Sequence, residues 1–134
     1  MNQAKAPNPY LRNQVLSAKP EELRLMLFDG AIRFLNTGRK GIESKDFDVS
    51  YTNISKAQKI VLELGNSLNR QVMPEVTEKL TALYTYIYRL LIDASTQRDT
   101  EKLDEALKLL QYERETWVLL MEKAGSETAS SGAA

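Results

Sequence analysis

The stretch PEVTEKLTALYTYIYRLLIDASTQ, residues 74–97, decides the fold. Its apolar residues Val76, Leu80, Leu83, Ile87, Leu90 and Ala94 recur at steps of three and four, which sets them on one stripe of an α-helix. Tyr84 and Leu91 widen that stripe. Pro74 fits the first turn, where a missing N–H is no loss, and Glu75 faces the positive end of the helix dipole. A stripe this regular needs other helices to cover it.

The flanking sequence supplies three. Upstream, Ile54, Ala57, Val61, Leu64 and Leu68 form a second seam over about residues 48–69, ended by Asn69, Arg70 and Gln71. Before it, Pro20-Glu21-Glu22 reads as a helix start, although Lys19 has no capping oxygen. Dense apolar residues from Leu23 to Leu35 carry that helix over about residues 20–44, to the polar break Ser44–Asp48. Downstream, Asp99 and Thr100 are N-cap candidates for a helix over about residues 100–124. Its seam is Leu103, Ala106, Leu110, a polar interruption at Glu113, then Trp117, Leu120 and Ala124.

Four helices of ~24 residues, each ~36 Å long, joined by short links that force antiparallel neighbours, predict an all-α, antiparallel up-down four-helix bundle over residues 20–124. Residues 1–19, with Pro7 and Pro9, read as an extended N-terminal arm, and the small polar residues 125–134 as a disordered C-terminal tail.

Composition removes most chemistry. The 134 residues include no His and no Cys. That excludes Ser–His–Asp catalysis, a cysteine nucleophile, a disulfide framework, thiolate zinc, His-ligated haem and a histidine phosphotransfer bundle. Acid pairs such as Glu21/Glu22 and Glu113/Glu115 have no pocket partner, so the sequence predicts no enzyme, no cofactor and no metal. With 18 basic against 18 acidic residues, the chain lacks the excess of cations that broad nucleic-acid binding needs. No run approaches the ~20 apolar residues of a membrane span, and residues 1–13 have no apolar signal core. A cytoplasmic protein that neither inserts into membranes nor binds nucleic acid is the expectation.

Apolar residues remain after the core is filled. Leu62 lies off the seam of the second helix and Ile60 at its edge, while Tyr88 and Ile92 project away from the seam of the third. Val118 and Leu119 do the same on the fourth. Singly these are ordinary exposed residues. Together on the second and third helices they outline a groove for a partner helix, with Ile60, Leu62, Leu64, Tyr88 and Ile92 as candidate partner-binding residues. Gly30, inside the first helix, costs about 0.8–1 kcal/mol relative to Ala, and close approach of a neighbouring backbone is the expected compensation.

Three blocks of sequence resemble one family. They are Asn8-Pro9-Tyr10, then Pro20-Glu21-Glu22-Leu23 with Leu25–Ala31, then Lys56–Leu64 with Ser67-Leu68. With Leu83-Tyr84, Tyr86, Leu90 and Trp117, they occur in the order found in FliS-type flagellin export chaperones, over about residues 8–120. The resemblance implies a cytoplasmic helical bundle that binds the C-terminal segment of flagellin. That segment is disordered in the monomer and helical in the filament. Covering it would block premature polymerisation and hold the subunit ready for the flagellar type III export apparatus, a further partner. The resemblance also assigns Asn8, Pro9 and Tyr10 to an arm that plugs the binding surface when no client is present. The family often has a second aromatic just after the first, whereas Leu11, Arg12 and Asn13 follow here. The alternative from another class is a structural adaptor that self-associates through the same apolar face.

Overall fold

The computed structural model describes residues 19–68 and 74–132. It contains four helices, α1 (Pro20–Glu43), α2 (Phe47–Asn66), α3 (Pro74–Gln97) and α4 (Thr100–Gly132), and no strand among the described residues. Local chemistry accounts for the starts. Lys19 is the extended N-cap of α1 and makes no side-chain capping bond, so Pro20, Glu21 and Glu22 carry that start without a capping oxygen. The Asp46 carboxylate accepts the Val49 N–H at 3.3 Å, and Asp99 Oδ1 accepts the N–H groups of Glu101 and Lys102 at 2.9 and 3.3 Å. Lys45 and Arg98 close the two tight turns in the left-handed region, with φ of 60° and 53°.

α1 packs on α2 and α4, and α3 packs on the same two helices, so the four form a closed ring around one core. Residue pairs across the α1/α2 and α1/α4 interfaces run in opposite order. On α1 and α2 the pairs are Gly41 with Ser50, Gly38 with Ile54 and Gly30 with Ile60. On α1 and α4, Arg39 meets Asp104, Asp29 meets Arg114, and Glu21 meets Trp117. This is the antiparallel bundle. Phe28, Leu35, Ile54, Leu64, Ile87, Leu91, Leu103 and Leu110 are its fully buried large side chains.

α2 ends at Asn66, short of residue 69, and residues 69–73 lie outside the described residues. α4 continues past 124, where the sequence reading begins the tail, to Gly132. Nothing lies within 4 Å of where a Cβ on Gly125 would stand, so this extension is helix without tertiary contact there. The arm lies outside the described residues apart from Lys19.

The seams are not covered to their ends. Val76 and Leu120 are 44% and 53% exposed and Ala124 is also exposed, although their spacing placed them in the core. α1 begins at Pro20, and the Trp117 indole donates to the Glu21 carbonyl at 2.9 Å. Beyond Trp117, therefore, α4 passes the end of α1 and no longer packs on that helix.

Candidate functional site

The α2/α3 junction holds a shallow groove of about 140 Å³. It is lined by Val61, Leu62, Gly65 and Asn66 from α2 and by Thr81, Tyr84, Thr85 and Tyr88 from α3. Its floor is core: Val61 is 1% and Tyr84 3% exposed. Gly65 faces α3, where a Cβ would stand in ordinary contact with the Tyr84 Cβ at 3.7 Å. The hydroxyls of Thr81 and Thr85 donate to the carbonyls of Thr77 and Thr81, at 2.8 and 2.9 Å. Both are already satisfied within α3, so these walls present little unmet polarity.

The five residues expected to line a partner groove separate here. Leu62, 47% exposed, and half-buried Tyr88 sit together on its wall. Ile92, 38% exposed, lies one turn beyond Tyr88 on α3 and extends the same stripe. Leu64 has no exposed surface and belongs to the core beneath. Ile60 turns the other way, its Cδ1 only 3.4 Å from where a Gly30 Cβ would stand. The close neighbour of Gly30 is thus a side chain, not the backbone its position predicted. Asn8, Pro9 and Tyr10 lie outside the described residues.

A second apolar surface, which takes in Val76, Leu80, Trp117 and Leu120 of the expected seams, occupies the open end. A cleft of about 310 Å³ lies between α1, α3 and α4, lined by Val76, Leu80, Tyr112, Trp117 and Leu120 among others. Arg24 forms its inner wall. Its guanidinium lies 5.4–5.7 Å from the ring centres of Phe28, Tyr84 and Trp117. It donates to the Leu64 carbonyl, Ser67 Oγ and Tyr84 Oη at 3.2, 3.0 and 2.9 Å, and so ties α1 to the other three helices. On its far side a cleft of about 350 Å³ is lined by Pro20, Leu23, Leu27 and Trp117. The missed signal was length: α4 outruns α1, and a seam without a partner is surface.

Glu113 stands in the open-end cleft, where burial raises its pKa more than the positive charge of Arg24 lowers it. A carboxyl with a raised folded pKa binds its proton more tightly in the folded state. Its contribution to stability is therefore lost as pH rises from the ordinary carboxylate value through the raised one. Glu113→Gln is expected to melt higher than the parent chain at pH 8 and level with it at pH 4, read by circular dichroism. A variant that melts lower at both pH values contradicts this account. Burial also raises the Tyr84 phenol, whereas the bidentate Arg39 pair holds the Asp104 carboxyl below its usual value.

Among the described residues no cluster of acidic residues is placed to hold a metal ion, and no helix is long and apolar enough to cross a membrane. What the surface offers is apolar grooves between helices.

Comparison with known proteins agrees in kind. A family model described as flagellar protein FliS matches residues 1–124. The chain is 34% identical to the flagellar secretion chaperone FliS of Bacillus subtilis (strain 168) over 128 residues, covering 93% of this chain and 95% of that protein. It is 32% identical to the flagellar secretion chaperone FliS of Salmonella typhimurium over 115 residues, 85% of each. The corresponding chaperone of Campylobacter jejuni is 28% identical over 112 residues, 84% of this chain and 88% of that protein.

Proposed function

This chain belongs to the flagellar protein FliS family of flagellar secretion chaperones, and from that premise we propose that its client is the C-terminal segment of flagellin. Bound in the cytoplasm, that segment is kept from polymerising and is handed on, still competent for export, to the flagellar type III apparatus. The observation that carries this reading is the α2/α3 groove, where exposed Leu62 and half-buried Tyr88 stand over the core residues Val61 and Tyr84. A disordered segment wraps such a surface and becomes helical as it docks, with part of the contact energy offset by ordering. The work is binding alone, with no bond made or broken and no cofactor. The arm bearing Asn8, Pro9 and Tyr10 covers the apolar surface when flagellin is absent. Pro20 and Leu23, where the arm joins α1, line the cleft beside Arg24 and support that role.

The test is a titration of the full chain with the last ~40 residues of its own flagellin (~60 Å if fully helical), following heat and helicity together. Saturable binding with a gain of helix is expected. A folded chain that binds nothing, but whose mass grows with its own concentration, would replace this reading with the self-associating adaptor.

A further inference from the structure

The neutral total conceals an uneven charge distribution. α1 carries no acid between Asp29 and Glu43, and α2 none between Asp48 and Glu63. The same stretches hold Arg33, Arg39, Lys40, Lys56 and Lys59, whereas acids outnumber bases from residue 74 onward. Arg39 is taken up by Asp104 and Glu43. Arg33 and Lys56 are in no ion pair among the described residues. Each lies instead 5.3 Å from the ring centre of Phe34, one from α1 and the other from α2. Phe34 is half-buried, packed against the core, and half-buried Ile60 lies over Gly30 close by.

We infer that this α1/α2 face, centred on Phe34 and Ile60 and flanked by Arg33, Lys56 and Lys59, docks an acidic amphipathic helix of a second protein. An aromatic centre beside arginine is the composition that dominates binding energy at protein interfaces. The apolar stripe of the incoming helix covers Phe34 and Ile60, and its carboxylates pair with cations that have none. Nucleic acid is the poorer match, because phosphate recognition spreads over many cations along a backbone, typically six to ten. Here a few cations enclose an apolar centre. Ile60 and Leu62 are two residues apart, about 200° around the helix, so the two faces of α2 accept their partners at the same time.

The probes are a ~20-residue peptide (~30 Å as a helix) with leucines at every third or fourth position and glutamate elsewhere, and its counterpart with lysine for glutamate. Amide spectra of the full chain should show saturable shifts at Arg33, Phe34, Lys56 and Ile60 with the glutamate peptide only. Affinity falls as NaCl rises from about 50 to about 300 mM. The pair Arg33→Glu and Lys56→Glu weakens that binding at least tenfold, while Lys108→Glu on α4 does not. The charge-reversed chain keeps its helicity and still binds the flagellin segment, which separates this face from the client groove. The inference is overturned if the glutamate peptide does not bind, shifts the Leu62 and Tyr88 groove instead, or binds the charge-reversed chain equally well. Stronger shifts at these amides from a thymidine oligonucleotide or phosphatidylglycerol vesicles overturn it as well.

Discussion

Leu64→Ala unfolds the bundle at markedly lower denaturant, while Leu62→Ser combined with Ile92→Ser leaves the melt near that of the parent chain and weakens flagellin binding at least tenfold. Leu64 is fully buried against the other core residues, so truncation removes apolar contact and leaves a cavity, at a cost of about 2–5 kcal/mol. Leu62 and Ile92 are 47% and 38% exposed and have little packing to lose. Covering each on binding is worth up to about 1.5–3 kcal/mol for a full side chain, and 1.4 kcal/mol is a factor of ten in affinity. Urea unfolding and calorimetric titration of the same variants read both effects. Unchanged affinity in the folded double variant would remove the α2/α3 groove as the client site.

Gly41→Ala is the second large effect, and Gly30→Ala is its control. A Cβ on Gly41 would meet the Ser50 backbone nitrogen at 2.7 Å, the Asp46 carbonyl oxygen at 3.0 Å and the Ser50 Cα at 3.1 Å. All three are backbone atoms of the turn into α2, and none can rotate aside, so the ends of α1 and α2 must part. Overpacking of this kind costs about 1–3 kcal/mol. The gain of about 0.8–1 kcal/mol from alanine's helix propensity offsets only part of it. At Gly30 the nearest atom is the end of the Ile60 side chain at 3.4 Å, which can yield, and there the propensity gain prevails. Thermal melts should place Gly41→Ala below the parent chain and Gly30→Ala level with or above it. Equal melting of the two variants would mean that α1 and α2 are not in contact at Gly41.

The helix starts were legible in sequence because their causes are local. Pro20 and Pro74 open helices where a missing N–H costs nothing, and Asp46 and Asp99 cap α2 and α4 with their own carboxylates. The three-four spacing of Ile54, Ala57, Val61 and Leu64 likewise names the buried stripe of α2, because one periodicity generates both. On α3 the same reasoning centred the stripe slightly off. Leu80 and Leu83 are only partly buried, whereas Tyr84 and Leu91, read as its margin, are core.

The off-seam spacing already pointed to Leu62, Tyr88 and Ile92, but exposure at the open end was not legible, since it depends on where neighbouring helices begin and end. Val76 and Leu120 have the spacing of core residues and became surface, because among the described residues α1 begins at Pro20 and α2 ends at Asn66. Leu62 and Leu64 are alike in type and two residues apart, one off the seam and one on it, yet both were candidates for the groove. The packing of the bundle leaves Leu64 in the core and Leu62 on the groove wall. Four helices, their order, their starts and most of their apolar stripes follow from interactions of the chain with its near neighbours. The tertiary structure decided which parts of those stripes stay uncovered, because burial is set by contacts between residues far apart in the chain.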